Sequence, residues 1–135
     1  MKEFEFIDLI NGIENLPNEL LNYNSILYRI YNKRNKKSYI GTAKYGMPNR
    51  LYSGYGGGHV TLYKRKNSTK CQGMYLDMNL NIEDFQLIIE KEVSPDHYCE
   101  ILSMETELID EFDSIINGYN VLLMENLDGK KEQSV

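Results

Sequence analysis

The strongest periodic signal in the chain lies between Ser94 and Gly118. Ile101, Leu102, Leu108, Ile109, Phe112, Ile115 and Ile116 recur there at the spacing of one helical face. The flanks agree: Ser94 suits an N-cap, Pro95 the first helical position and Asp96 the positive end of the dipole, while Asn117-Gly118 supplies a stop. The spacing predicts one long helix over 95–117. At about 100° per residue, Glu105 falls about 40° from Ile101, in the middle of the apolar stripe. Glu100, Glu107, Asp110 and Glu111 fall on the opposite face. A carboxylate on the apolar side needs a cation partner, a proton or an opening to solvent, because burying it unpaired is costly. A structural ion pair with an Arg or Lys meets that demand as well as a functional site does.

Period-two patterning appears earlier. Residues 26–32 (Ile-Leu-Tyr-Arg-Ile-Tyr-Asn) and 37–42 (Lys-Ser-Tyr-Ile-Gly-Thr) are rich in β-branched and aromatic side chains, and polar Lys33-Arg34-Asn35-Lys36 separates them. This pattern predicts a hairpin, with Phe85–Lys91 as a third strand. Pairing symmetric about Arg34-Asn35 sets Tyr28 opposite Gly41 and diagonal to Tyr39, with both phenols on one face. A strand glycine often marks a close approach, so two phenols beside bare backbone suit contact with a phosphate. Ordinary cross-strand packing accounts for the same two tyrosines. Upstream, Phe4, Ile7, Ile10 and Ile13 at helical spacing predict a helical lead-in over 1–24, broken at Pro17. Pro48 suits the first turn of a short helix carrying Arg50, which the glycine run Gly54-Tyr55-Gly56-Gly57-Gly58 ends. A second short helix is expected from His59 to about residue 66, and a disordered tail over 126–135.

At 135 residues, 41% apolar and 26% charged, the chain reads as one soluble globular domain. It holds no apolar run of membrane-spanning length, and Met1-Lys2-Glu3-Phe4 has no apolar signal core, so a cytoplasmic protein without membrane contact is expected. Cys71 and Cys99, taken with His59 and His97, lack the paired spacings of a structural zinc site, and buried reduced thiols are expected. A net charge of −5 argues against a polyanionic partner only if charge is spread evenly. It is not: residues 20–76 contain no acid and carry +11, and the remainder carries −16. Such a one-sided region makes a local positive field that attracts nucleic acid. Nine of the eleven tyrosines lie in the same stretch. A solvated basic face and half-buried strand tyrosines are the plainer account of each feature, and a 57-residue run without an acid weighs against it.

Taken in order, Ile26-Leu27-Tyr28, ten intervening residues, Tyr39-Ile40-Gly41, Arg50, Glu105 and Asn117-Gly118-Tyr119-Asn120 form one constellation. It resembles the GIY-YIG endonuclease superfamily over about residues 25–121, and is most similar to the nuclease domains of phage homing endonucleases. Two departures stand out: Ile26 replaces the glycine of the first motif, and Arg50 lies one residue late. The resemblance implies an α+β domain over 25–125, with a central three-stranded antiparallel sheet flanked by helices. It also implies phosphodiester hydrolysis with one divalent ion, Mg²⁺ or Mn²⁺, held by Glu105. By the same resemblance Arg50 binds a non-bridging phosphate oxygen, Tyr28 is the general base and Tyr39 positions water or phosphate. A phenol with an ordinary pKa of about 10 needs nearby cations to act as a base at neutral pH, and Lys44 is one candidate. His59 either assists proton transfer, touches phosphate or is an ordinary surface histidine. Asn120 either hydrogen-bonds within the site or serves the turn after Gly118.

The function expected is therefore a metal-dependent endonuclease acting on double-stranded DNA. Gly41, Lys44, Lys64, Arg65 and Lys66 are the expected contacts to the nucleic acid. Only 15 residues follow Asn120 and they carry no binding motif, so a stand-alone enzyme, a fragment, and a homodimer or protein partner that supplies specificity all stay open, and a double-strand cut requires dimerisation or two sequential events. A non-catalytic nucleic-acid-binding or regulatory protein on the same scaffold, or an RNA-directed nuclease, stays open at this point.

Overall fold

The computed structural model of the chain describes residues 2–53, 57–65 and 72–120. Lys66, Cys71, most of the glycine run, the end of the 25–125 domain and the 126–135 tail lie outside the described residues. In chain order the elements are β1 (Lys2–Glu5), β2 (Ser25–Asn32), β3 (Ser38–Ala43), α1 (Met47–Tyr52), α2 (His59–Arg65), α3 (Gln72–Leu80), β4 (Phe85–Val93) and α4 (Tyr98–Glu111). The strands form one antiparallel sheet in the order β1-β4-β2-β3, which puts β3 at an edge. The architecture is the α+β one expected, with four strands instead of three.

The β2–β3 hairpin has the register its sequence implies. Tyr28 pairs with Gly41 and Ile30 with Tyr39. Strand β2 is central, and both of its faces are covered. Ile26, Tyr28 and Ile30 join the main core with Phe6, Met47, Leu51 and Met74, while Leu27 packs on the other face with Ile40 and Ile101. Period-two alternation along β2 thus divides the molecule into an α1–α3 side and an α4 side.

The N-terminal segment differs from its helical expectation. Lys2–Glu5 pairs with β4, and short 3₁₀ turns follow at Phe6–Leu9, Ile13–Asn15 and Asn18–Leu20. The buried pair is Phe6 and Leu9, three residues apart as a 3₁₀ turn requires, whereas Ile7 is 39% exposed. Burying a side chain such as Phe6 is worth about 1.5–3 kcal/mol, enough to override the weak helical spacing of Phe4, Ile7 and Ile10.

The C-terminal helix is shorter than 95–117. The Ser94 hydroxyl accepts from the Asp96 amide at 3.4 Å, Pro95–His97 form a 3₁₀ turn, and α4 ends at Glu111. Asp113 adopts a left-handed φ of 49°, which diverts the chain and leaves Ile116 82% exposed. The chain then runs back along the open edge of β3, where the Tyr119 amide donates to the Ser38 carbonyl at 2.9 Å. A Cβ on Gly118 would lie 2.6 Å from that same carbonyl oxygen, so only glycine permits this approach. Helix α3 has no counterpart among the elements read from the sequence, and Cys99 is exposed rather than buried.

Candidate active site

Three elements converge on the face of the sheet that carries Tyr28. Gly41 sits opposite Tyr28 because the hairpin register puts it there. A Cβ on Gly41 would lie 2.5 Å from Tyr28 Oη and 2.8 Å from Tyr39 Cε2, so the bare glycine backbone makes room for both phenols. The Tyr28 and Tyr39 rings are 6.3 Å apart between centroids. Helix α1, opened by Pro48, brings Arg50 to Tyr28, and its Nε donates to Tyr28 Oη at 3.1 Å. Helix α2 begins with His59, whose Nε2 lies 2.5 Å from the same hydroxyl. Helix α3 adds Tyr75, whose Oη lies 2.7 Å from His59 Nδ1.

Burial sets the protonation of this cluster. Tyr28 is fully buried, and desolvation, followed by the neighbouring Tyr39, pushes its phenol well above the ordinary 10 despite the opposing Arg50. Tyr28 therefore holds its proton at neutral pH. His59 is 3% exposed, and burial together with the charge of Arg50 lowers its pKa from 6.5 to about 3. It is a buried neutral imidazole, not a surface histidine. Arg50 is half-buried, and its pKa is raised above its already high ordinary value, chiefly by Tyr28, so the guanidinium is charged at neutral pH.

Glu105 lies on α4, across the sheet from Tyr28, and is half-buried. Desolvation raises its carboxyl pKa and Arg50 pulls it back down, so Arg50 couples electrostatically to both sides of the β3 edge. Among the described residues Glu105 makes no ion pair. No group of three or more His, Cys, Asp and Glu residues suited to a metal occurs among the described residues. A single hard carboxylate fits Mg²⁺ or Mn²⁺ better than a softer ion. Mg²⁺ in particular keeps several waters and is bound through one or two carboxylates plus substrate phosphate.

The remaining sequence candidates divide. Asn120 bonds to the backbone of β3. Its Oδ1 accepts from the Ile40 amide at 2.8 Å and its Nδ2 donates to the Ile40 carbonyl at 2.9 Å, so it substitutes for a neighbouring strand between Tyr39 and Gly41. Lys44 is exposed and stands over the rings of Tyr45 and Tyr98, at 5.4 Å and 5.5 Å. The cation beside Tyr28 is Arg50, not Lys44. Lys64 and Arg65 are exposed at the far end of α2, the helix that His59 begins. Lys66 lies outside the described residues. Tyr75 carries no signal of its own in the sequence. It is one aromatic on a short helix of little periodicity, and its link to His59 exists only in three dimensions.

Comparison with known proteins points to one family and one fold. The model of the GIY-YIG catalytic domain family matches residues 24–120. The solved catalytic domain of the homing endonuclease I-TevI shares 25% identity, covering 73% of this chain and 99% of that one, with a TM-score of 0.56. A mutant of the catalytic domain of the intron endonuclease I-TevI shares 28% identity, covering 73% and 94%, with a TM-score of 0.55. No curated protein shows a significant match.

Proposed function

The chain belongs to the GIY-YIG catalytic domain family, and on that premise we propose that it is a metal-dependent endonuclease hydrolysing phosphodiester bonds of double-stranded DNA. The observation that carries the proposal is the hydroxyl of Tyr28, held between Arg50 and His59, with Glu105 half-buried in the field of the same arginine.

Hydrolysis places extra negative charge on a pentavalent phosphorus, so donors must already be aimed where that charge develops. Arg50 commits its Nε to Tyr28, and its two terminal amino groups form the fork that matches two phosphate oxygens. Tyr28 is the general base towards the attacking water. Because burial keeps its proton on, it takes the water proton only as its own passes to His59. Tyr39, half-buried and edge-on to His59 at 5.4 Å, orients water or phosphate at the mouth of the site. Glu105 would hold Mg²⁺ or Mn²⁺, which when bound polarises the phosphate and stabilises the leaving 3′ oxygen. Asn120 acts from behind, fixing the strand segment between Tyr39 and Gly41. Lys44, Lys64, Arg65 and Lys66 supply phosphate contacts whose strength falls with salt. A second copy or a protein partner supplies the second cut, because one such site severs one strand.

The test is cleavage of end-labelled duplex DNA and duplex RNA of the same sequence, each with Mg²⁺ and with EDTA. Cleavage of DNA with Mg²⁺ alone supports the proposal. Cleavage of RNA alone, or salt-sensitive binding of DNA without any cleavage, would refute it in favour of an RNA-directed or a regulatory protein.

A further inference from the structure

We propose that Tyr75 is a positioning residue of this reaction, its hydroxyl fixing the tautomer of His59 so that Nε2 is the acceptor for the Tyr28 proton. The proposal rests on the hydrolytic reading above. A neutral imidazole has one N–H and one lone pair to share between its two ring nitrogens. In His59 both nitrogens have a phenol hydroxyl within hydrogen-bond distance, Tyr28 Oη at Nε2 and Tyr75 Oη at Nδ1. Two contacts set the tautomer together, Tyr75 at Nδ1 and Tyr28 at Nε2, and the second is constrained by what Tyr28 already binds. Its oxygen already accepts from Arg50 Nε, and among the described residues His59 Nε2 is the remaining partner. With the proton on Nδ1, the Tyr28 O–H donates to Nε2 and the His59 Nδ1–H donates to Tyr75 Oη. With the proton on Nε2, Tyr28 would receive two donors and its own buried O–H would lack an acceptor, a loss of about 1–3 kcal/mol.

Tyr75 is placed for this task. It is 4% exposed, it lies between Met74 and Met78 on the buried side of α3, and its carbonyl accepts from Asn79 Nδ2 at 2.8 Å. In the step itself, the water oxygen bonds to phosphorus as its proton moves to Tyr28 Oη. The Tyr28 O–H bond breaks as that proton moves to His59 Nε2, and the bond from phosphorus to the 3′ oxygen breaks. The resulting imidazolium keeps its Nδ1–H on Tyr75 Oη. After the product departs, the proton returns through Tyr28 to solvent and the 3′ oxygen takes a proton from water.

Tyr75→Phe removes the acceptor while keeping the ring. Nitrogen-15 NMR of the His59 ring reads the tautomer directly, and single-turnover cleavage of duplex DNA with Mg²⁺ reads the rate. In wild type, Nδ1 is expected to be protonated and Nε2 bare. In Tyr75→Phe the Nδ1–H loses its acceptor, so the Nε2-protonated form is expected to gain population at the expense of the Nδ1-protonated one, with cleavage slowed by up to about tenfold, part of what general-base catalysis supplies. The affinity for DNA in EDTA is expected to be unchanged. A wild-type spectrum with the proton on Nε2 would overturn the proposal even if the variant does not fold. So would a folded Tyr75→Phe that cuts at the wild-type rate. Wild type that cuts nothing, by contrast, refutes the hydrolytic reading itself.

Discussion

The burial of a neutral His59 makes stability depend on acidity in a defined window. Its folded pKa of about 3 lies below the ordinary 6.5 that the unfolded chain regains. Between those values the unfolded state binds a proton that the folded state does not, so stability rises with pH across the window. The contribution is fully present above pH 6.5 and is lost as pH falls towards 3. At pH 5 the unfolded state gains RT ln(1 + 10^1.5), about 2 kcal/mol, relative to pH 8. For a domain of this size that corresponds to a fall of roughly 8 °C in melting temperature, taking about 4 °C per kcal/mol. Urea unfolding of wild type and His59→Gln at intervals from pH 8 to pH 5 isolates the effect, since the exposed His97 is common to both. The wild-type protein should lose about 2 kcal/mol more than the variant over that range. Parallel curves for the two proteins would refute the reasoning, because they would mean that His59 protonates as freely in the fold as outside it.

Three further outcomes follow from the same geometry. Gly41→Ala puts a methyl against Tyr28 and Tyr39, so a loss of about 1–3 kcal/mol in urea unfolding is expected, along with near-complete loss of cleavage. Asn120→Ala removes both bonds to Ile40 and exposes a strand edge; unfolding should become easier by about 1–3 kcal/mol, with cleavage falling less than in Arg50→Ala when both are assayed well below their melting temperatures. Replacing Lys64 and Arg65 by Ala should reduce the salt slope of DNA binding by roughly one for each phosphate that is no longer neutralised, as read from fluorescence anisotropy at several salt concentrations.

The hairpin and its register were legible because a side-chain period of two leaves little freedom once Tyr28, Ile30, Tyr39 and Gly41 are placed. Glu105 was legible because a carboxylate inside an apolar stripe conflicts with its surroundings on any helical wheel. The N-terminus was not legible. Four residues are too few for a period to show, and the decisive contact of β1 is with β4, more than 80 residues away. The apolar spacing overstates the length of α4 because Ile115 and Ile116 continue the stripe in sequence after Asp113 has turned the chain. Nothing in the composition separates a buried His59 from a surface one. What decides is that α1 and α3 close over it with Arg50 and Tyr75, a fact of packing between separate elements that no local pattern encodes. For Asn120 the family resemblance implies a site role and its place after Gly118 a turn, whereas its side chain bonds to the backbone of Ile40, between Tyr39 and Gly41.

The central claim, hydrolysis dependent on a metal at Glu105, is tested most directly by incubating supercoiled plasmid with wild type and with Glu105→Ala, each with Mg²⁺ and with EDTA. Nicked or linear plasmid produced by wild type with Mg²⁺, and by none of the other three combinations, is the predicted result. Equal cleavage by Glu105→Ala, or cleavage by wild type that persists in EDTA, would contradict it.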